Sequence, residues 1–393
     1  MNNDNVYFNL DLQALVESNG NMIPLRPQTC DVLRLLAEKA GTIVTKNQII
    51  DRVWDGEAVS DDSIYQCISE IRQALKKTGS VKVRTVSRKG YVIDESLTGT
   101  SSSISLKPIE ITTIEPIKYT ASADGTRLAW SASGEGIPLL KTPNWITHLG
   151  AERRSKIYGP FYNRLGERAR VVRYDQRGGG MSSWLAGPLT IGSMCEDILA
   201  VADAAGLDKF NMLGISQGVA FAIAFAARHP DRVKSIIGRG GYALGDLAGG
   251  GEKNRQTYES GLKMIQVGWD SDDPTFRRNF TSRLAPDATP EMAKELDELQ
   301  RIAIPKENLL DFFEFDAKLD VSADASMVQC PILLIHSVGD RMVPFEDGEH
   351  LASLLQNCTF VPVSGDNHTQ IPGSPGFDEG MRAIDDFLDS LDN

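Results

Sequence analysis

The sequence predicts two domains of different class: a small α+β domain, then a larger, doubly wound and mostly parallel α/β domain with a helical insertion. A chain of 393 residues is too long for one ordinary domain. The hydrophobic pattern changes from a hairpin with three helices to buried strands that alternate with helices. A polar stretch of small residues separates the two patterns. We therefore place the first domain at 1–97, a linker at 98–117 and the second domain at 118–393.

Composition narrows the class of protein. Hydrophobic residues make up 41% and charged residues 24% of the chain, as in globular proteins. A net charge of −12 argues against a general nucleic-acid binder but allows a local basic patch. No basic start, apolar leader or membrane-length apolar run is present, so we expect a cytoplasmic chain with no membrane partner. Reduced core thiols are the interpretation for the five cysteines, which lack C-x-x-C spacing: Cys30, Cys67, Cys195, Cys330 and Cys358.

The first domain reads as a hairpin, three helices and a second β pair. Apolar stretches at 6–12 and 22–25 flank Ser18-Asn19-Gly20, which is a strong turn signal. Pro27 begins the first helix and Gly41 ends it, while Thr45 and Gln48 form a capping box for the second. The third helix runs from 61 to about 77, and two short β segments surround a basic turn at 81–93. The apolar stripe of the third helix consists of Ile64, Cys67, Ile68, Ile71 and Leu75.

These motifs resemble the OmpR/PhoB-type effector domain. The resemblance rests on Leu25-Arg-Pro, Gly41-Thr-Ile-Val-Thr-Lys, Val53-Trp54, Ile68-Ser-Glu-Ile-Arg72 and Thr85-Val-Ser-Arg-Lys-Gly-Tyr91, in that order over 6–94. It implies a winged helix whose third helix enters the major groove of double-stranded DNA and whose wing contacts the minor groove or phosphates. We also expect a homodimer, because a single winged helix makes a small footprint.

The same resemblance assigns the DNA-binding residues. The outward face of the third helix would consist of Tyr65, Gln66, Ser69, Arg72 and Gln73. Phosphate contacts would come from Lys46, Lys76, Lys82, Arg84, Arg88 and Lys89. Seven basic against three acidic residues over 61–93 agree with this assignment. Glu70 departs from the family pattern, so the family's base preference is not carried over.

The linker contains a polar segment at 98–108 that reads as a tether. After it, 109–117 is rich in β-branched residues and is a further strand candidate.

The second domain contains four landmarks in order. They are Arg173-Tyr-Asp-Gln-Arg-Gly-Gly-Gly-Met-Ser-Ser183, then Gly214-Ile-Ser-Gln-Gly218, then a strand over 330–344 that delivers an acid, then Gly365-Asp-Asn-His368. Together they resemble the α/β-hydrolase family, which implies a lid at about 242–320. The strand candidates are 127–132, 137–141, 169–174, 209–213, 234–238, 331–336 and 358–363.

Gly-x-Ser-x-Gly between a strand and a helix predicts a nucleophile elbow at Ser216. A serine nucleophile needs a base to take its proton and a carboxylate to orient that base. His368 and Asp340 follow Ser216 in the chain order expected for this fold. Asp366 is a rival carboxylate, although its place beside His368 favours a loop role.

The predicted oxyanion hole departs from the family pattern. Pro143-Asn144 stands where the family usually has His-Gly, and the backbone amides of Trp145 and Gln217 would form the hole. A missing glycine restricts how this loop presents an amide, so the site is either a weak catalyst or one adapted to binding. Aromatic residues of the lid favour a small, largely apolar ligand. We expect no cofactor and no metal.

Three hypotheses of function follow. The first is a one-component transcription regulator that senses a small ligand in its α/β-hydrolase-like domain. The second is an active serine hydrolase of the esterase or lactonase type, which would also be able to degrade its own inducer. The third is a scaffold with neither activity.

Overall fold

The computed structural model describes residues 6–9, 14–17, 22–23, 25–54, 61–76, 82–86, 89–93, 116–153, 155–271 and 273–391. The chain divides into two compact units, Met1–Thr113 and Ile114–Asn393. The tether predicted at 98–108 lies outside the described residues, as does Arg88.

In the described part of the first unit, three helices lie along the chain between two small antiparallel sheets. Its elements are β1 (Val6–Asn9), β2 (Ala14–Glu17), β3 (Met22–Ile23), α1 (Pro27–Glu38), α2 (Lys46–Val53), α3 (Asp61–Lys76), β4 (Val83–Val86) and β5 (Gly90–Ile93). One element differs from the sequence prediction. The sequence predicted a hairpin between the stretches at 6–12 and 22–25, whereas β1 pairs with a separate strand, β2, which in turn pairs with β3.

Helix packing in this unit follows the predicted apolar stripes. Leu33 and Leu36 of α1 and Ile64 of α3 are completely buried. The capping box of α2 is confirmed, since Thr45 Oγ1 accepts from the amide of Gln48 and the Gln48 side chain accepts from the amide of Thr45. The cap fixes where α2 begins and so orients it against α1.

The β4–β5 hairpin is attached to the segment before α2. Val44 and Tyr91 exchange both backbone hydrogen bonds, at 2.8 and 2.9 Å. Gly90 has φ +141°, and a Cβ atom there would lie 2.1 Å from the carbonyl oxygen of Val44. Glycine is therefore required at 90 for the hairpin to approach this closely.

The second unit is built on one eight-stranded sheet. Its strands are β6 (Lys118–Ala121), β7 (Arg127–Ser133), β8 (Ile137–Lys141), β9 (Ala169–Tyr174), β10 (Phe210–Ile215), β11 (Val233–Arg239), β12 (Ile332–Ser337) and β13 (Cys358–Val363), in the spatial order β13-β12-β11-β10-β8-β9-β7-β6. Strands β8 to β13 run parallel, and β6 and β7 are antiparallel to their neighbours. All seven strand candidates of this domain are confirmed. The edge strand β6 was missed, since its four residues, which are mostly exposed, are too few to establish a periodic pattern.

Helices cover both faces of this sheet. They are α4 (Leu149–Glu152), α5 (Tyr158–Gly166), α6 (Ile191–Ala204), α7 (Gln217–Arg228), α8 (Glu252–Gly268), α9 (Thr275–Leu284), α10 (Pro290–Ala303), α11 (Lys306–Ala317), α12 (Ser322–Met327), α13 (Phe345–Leu354) and α14 (Pro375–Leu391). Helices α8 to α11 form the predicted insertion between β11 and β12. Every residue of β10 is buried, and so is α7 from 217 to 226. The core therefore centres on the strand and helix that flank Ser216.

All five cysteines are free, and the three in α1, α3 and α6 are buried. Among the helices of the described ranges, none combines the length and the apolar character needed to span a bilayer.

Candidate functional sites

Ser216 lies at the junction of β10 and α7 in a strained backbone conformation. Its φ is +55° and its ψ is −132°, and it is the one non-glycine residue with positive φ in the described part of the chain. A Cβ atom at Gly214 would lie 2.6 Å from Cα of Val219, so the turn is too tight for any side chain there. This is the geometry of a nucleophile elbow, which projects a serine hydroxyl from the end of a strand.

His368 and Asp340 come together from the two strands beyond β11. Nδ1 of His368 lies 2.8 Å from Oδ2 of Asp340. The other carboxylate oxygen, Oδ1, accepts from the backbone amides of Met342 and Val343 at 2.8 and 3.0 Å. Burial would raise the pKa of Asp340, but His368 and these amides hold it below its usual value. An ionised carboxylate therefore fixes the orientation and the tautomer of the imidazole.

The rival carboxylate does not reach this histidine. Asp366 instead accepts from Arg341 Nη2 at 2.6 Å, and its side chain is 43% exposed. Nε2 of His368 is buried and has no hydrogen-bond partner among the described residues, so no hydrogen bond to Ser216 is made in this conformation. Such contacts often tighten only when a substrate is bound.

Two further residues beside this pair carry no sequence motif of their own. A Cβ atom at Gly240, which has φ +56°, would lie 2.7 Å from Cε1 of His368. Nε2 of His336 lies 3.6 Å from Oδ2 of Asp340 and 3.0 Å from the carbonyl oxygen of Val343, to which it donates. Burial lowers the pKa of His336, so this ring supports Asp340 in the neutral form.

The loop after β8 contacts the elbow directly. Thr142 Oγ1 donates to the carbonyl of Gly218 at 2.7 Å, and a Cβ atom at Gly218 would lie 2.6 Å from the carbonyl oxygen of Pro143. Within the described ranges, no acceptor is bonded to the backbone amide of Trp145 or of Gln217. Both residues line the cavity at Ser216, as an oxyanion hole requires.

A buried lysine braces the segment that lacks the family's His-Gly. Nζ of Lys141 donates to Oδ1 of Asn144 at 2.5 Å and to the carbonyl of Thr142 at 3.1 Å. Burial lowers the pKa of Lys141 to about 8. Asn144 thus has a structural role in the place where the family pattern has glycine.

A cavity of about 600 Å³ opens onto Ser216, beneath the insertion. Its apolar wall includes Trp145 and Phe280, whose rings are 5.5 Å apart, and Phe313. The sequence favoured a largely apolar ligand, but charged residues of the insertion and of α13 also line the cavity. They are Asp246, Lys253, Arg283, Asp316 and Asp347. Sequence reasoning assigned the lid from the family resemblance, inferred an apolar ligand from the aromatic residues of the lid, and gave no weight to its charges.

On the first unit, α3 presents the predicted face to solvent. Tyr65 is 50% exposed, and Gln66, Ser69, Arg72, Gln73 and Lys76 are exposed as well. Nζ of Lys46 lies 4.9 Å from the centre of the Tyr65 ring. Lys82, Arg84 and Lys89 are exposed on and beside the β4–β5 hairpin. The side chains assigned to DNA on described residues are therefore accessible or, for Lys46, half-buried.

Arg72 also joins α3 to this hairpin. Its Nε donates to the carbonyl of Val83 at 2.9 Å, and its Nη2 donates to Oγ1 of Thr85 at 2.7 Å. Glu70, the residue that departs from the family pattern, accepts from Arg26 Nε and from Thr29 Oγ1, both at 2.6 Å. Glu70 therefore links α3 to the start of α1 through these two hydrogen bonds.

Known families and proteins match both units of the chain. Residues 20–93 match the family described as "Transcriptional regulatory protein, C terminal", and residues 157–372 match "alpha/beta hydrolase fold". The "Putative carbamate hydrolase RutD" of Caulobacter sp. (strain K31) is 27% identical over 244 residues, 60% of this chain and 87% of that protein. The "Transcriptional activator CadC" of Escherichia coli (strain K12) is 32% identical over 79 residues, 19% of this chain and 15% of that protein.

Among solved structures, a hydrolase from Pseudomonas aeruginosa PA01 has a TM-score of 0.57 and 23% identity. The match covers 69% of this chain and 98% of that one, and it concerns the fold. The match to the family described as "alpha/beta hydrolase fold", at residues 157–372, covers more than half of the chain. The chain therefore belongs to the α/β-hydrolase fold family and carries, at residues 20–93, a DNA-binding domain of the OmpR/PhoB type.

Proposed function

We propose that this chain is a transcription regulator whose α/β-hydrolase domain binds a small molecule in the Ser216 cavity and thereby changes its affinity for DNA. One observation carries the proposal. A cavity lined by Ser216 and a hydrogen-bonded pair of His368 and Asp340 occur in the same chain as a DNA-binding domain whose helix α3 has an exposed face. In this proposal, the base edges are read by α3 and the phosphates are bound by the lysines and arginines around it.

A ligand shifts an equilibrium only by the difference in its affinity for the two states. Filling the cavity must therefore favour either the DNA-competent or the DNA-incompetent form. The coupling is reciprocal, so DNA must change the affinity for the ligand by the same factor.

A covalent occupant tests this proposal without knowledge of the natural ligand. A DNA duplex is first selected from random sequences by its binding to the full chain. The Kd of the protein for this duplex is then measured before and after the protein reacts with a fluorophosphonate at Ser216. We expect the Kd for DNA to change by about fivefold or more, the usual range of allosteric coupling. Ser216→Ala, treated with the same reagent, should keep its original Kd. An unchanged Kd after complete modification of the wild type would contradict the regulatory role.

A second candidate function is hydrolysis of an ester or lactone. It is favoured by the strained backbone of Ser216 and by the 2.8 Å contact between His368 and Asp340, since a site kept only for binding needs neither. Ser216 would attack the carbonyl carbon, His368 would accept its proton, and the amides of Trp145 and Gln217 would stabilise the oxyanion. The two functions are compatible, because turnover would end the signal.

Steady-state hydrolysis of 4-nitrophenyl acetate tests this second function. We expect measurable turnover by the wild type and none above background by Ser216→Ala. Equal rates in both proteins would remove Ser216 as the nucleophile.

We further propose that the regulator binds DNA as a homodimer, because one winged helix covers only a short site. Sedimentation of the full chain with its selected DNA should give two chains per duplex. A ratio of one chain per duplex would contradict the dimer.

A further inference from the structure

The cavity at Ser216 has an acidic side formed by Asp246 and Asp316. Both residues are half-buried and line the cavity. Oδ1 of Asp316 accepts from the hydroxyl of Tyr242 at 2.6 Å, and no described residue donates to its Oδ2. Within the described ranges, neither carboxyl group has a lysine or arginine nitrogen within ion-pair distance. Two carboxyl groups therefore face the cavity with free acceptor capacity.

Such a pair is costly to ionise without a counter-charge. Burial raises the pKa of Asp316 to about 7, despite the hydrogen bond from Tyr242, and the charge of Asp246 adds to the increase. Burial also raises the pKa of Asp246, which Arg283 only partly opposes. A positive charge placed between them would stabilise both carboxylates.

The basic residues of the cavity do not fill this role. Arg283 directs its Nε and Nη2 toward the backbone carbonyls of Arg341 and Met342, at 3.1 and 3.4 Å. Lys253 is exposed. No group of His, Cys, Asp or Glu in the described residues is arranged to hold a metal ion, so a metal does not supply the charge from within such a cluster. The missing cation is best supplied by a ligand.

A second observation points to the other end of that ligand. Gln217 lines the same cavity next to Ser216, and it is only 2% exposed. Its Nε2 is buried, and no acceptor for it exists among the described residues. An unpaired buried donor costs free energy, which this side chain would recover by turning toward an oxygen atom of a ligand in the cavity.

We propose that the Ser216 cavity selects a ligand with an ammonium group at one end and a carbonyl oxygen at the other. The ammonium group binds between Asp246 and Asp316, and the carbonyl lies beside Ser216 and Gln217. This inference rests on the proposed function of the cavity as a ligand site, and it adds the charge of the ligand.

Three esters of equal length test the charge preference. They are methyl 4-(trimethylammonio)butanoate, its neutral counterpart methyl 5,5-dimethylhexanoate, and the anion of monomethyl glutarate. Each is titrated by calorimetry into the full-length Ser216→Ala protein, which removes turnover. We expect the cationic ester to bind about tenfold more tightly than the neutral one, equal to about 1.4 kcal/mol. The anion should bind more weakly than the neutral ester.

Substitutions then test the two carboxylates. Asp246→Asn with Asp316→Asn, added to Ser216→Ala, should bring the cationic and neutral esters to equal affinity. The matched control is Asp311→Asn, which removes the same charge from an exposed position of α11 outside the cavity and should keep the preference. Should the double variant fail to fold, each single variant should lose part of the preference.

The outcomes separate this inference from the proposed function. Equal binding of all three esters, or tighter binding of the anion, would overturn the ammonium site and leave the cavity as a ligand site. Failure of all three to bind would overturn the ammonium site and also count against the cavity as a ligand site. A preference for the cation that survives loss of both carboxylates would overturn the assignment to Asp246 and Asp316.

Discussion

Asp340 contacts His368 through one carboxylate oxygen while its other oxygen accepts two backbone amides. Both amides belong to the loop that follows β12, so this loop fixes the carboxylate independently of its contact with the imidazole. This arrangement orients the imidazole ring, and substitutions of Asp340 and of the neighbouring carboxylate Asp366 test whether that orientation matters for turnover.

Asp340→Asn should reduce ester turnover by roughly 10³–10⁴-fold, because the amide no longer stabilises the correct tautomer or the imidazolium. The change should leave the fold intact, since Asn is isosteric. Steady-state kinetics with 4-nitrophenyl acetate measure the loss. Asp366→Asn is the matched control, because Asp366 binds Arg341 instead, and its rate should stay within about twofold of wild type. The opposite ranking would exchange the roles of the two carboxylates.

Gly240→Ala should reduce turnover by about 100-fold, since the new methyl group would displace the His368 ring, and small misplacements of reacting groups carry penalties of this size. The proper comparison is Gly250→Ala. Both glycines have positive φ, so both substitutions strain the backbone, but a Cβ atom at Gly250 would meet no atom within 4 Å. Equal losses in the two variants would show that backbone strain, not contact with His368, is responsible.

Arg72→Ala should loosen the β4–β5 hairpin as well as weaken DNA binding, because Arg72 bonds Val83 and Thr85. We expect the free energy of unfolding of this unit to fall by about 1 kcal/mol. Faster amide hydrogen exchange over 83–86 would report the loosening. Gln73→Ala removes an adjacent exposed side chain and should change stability by less than about 0.5 kcal/mol. Unchanged exchange in Arg72→Ala would leave Arg72 with a role in DNA contact alone.

Lys89→Ala should lower affinity for every DNA sequence alike, because a contact with a phosphate carries no sequence information. The slope of log K against log salt concentration should become shallower by about 1. Lys39→Ala removes the same charge from an exposed position outside the predicted surface and should leave the slope as in wild type. A slope unchanged by both substitutions would place the wing turn away from DNA.

Asp316→Asn should stabilise the chain relative to wild type, and more so as the pH rises. The pKa of Asp316 is raised in the folded chain to about 7, so the folded state binds a proton that the unfolded state releases near the usual value of 3.8. Asp316 therefore contributes stability below that usual value and loses it as the pH rises through 7.

The stability advantage of Asp316→Asn over wild type should grow by on the order of 1–2 kcal/mol between about pH 4 and 8. This is less than the full pKa shift implies, because the carboxyl group lines an open cavity and is partly screened by solvent. Urea unfolding at a series of pH values measures the difference. Asp311→Asn is the control and should show no such trend. An advantage that shrinks with rising pH would contradict the sign of the shift.

Local signals in the sequence determined the elements of this protein and the identity of most site residues. The period of the apolar residues predicted α1 and α3, the capping box predicted the start of α2, and buried apolar runs predicted seven strands of the large sheet. Gly-x-Ser-x-Gly predicted the elbow, because glycine is needed wherever backbone atoms approach as closely as Gly214 and Val219 do. These are properties of a residue and its near neighbours, so they can be read from the chain.

The tertiary structure alone decided what residues distant in sequence do to one another. Asp340 rather than Asp366 meets His368 because β12 and β13 are adjacent and parallel, which brings their carboxyl ends to the same edge of the sheet. Asp246 and Asp316 line the same cavity as Ser216 because the insertion between β11 and β12 folds over the end of β10. The pKa of a buried group depends on burial and on facing charges, and only the packed chain supplies those.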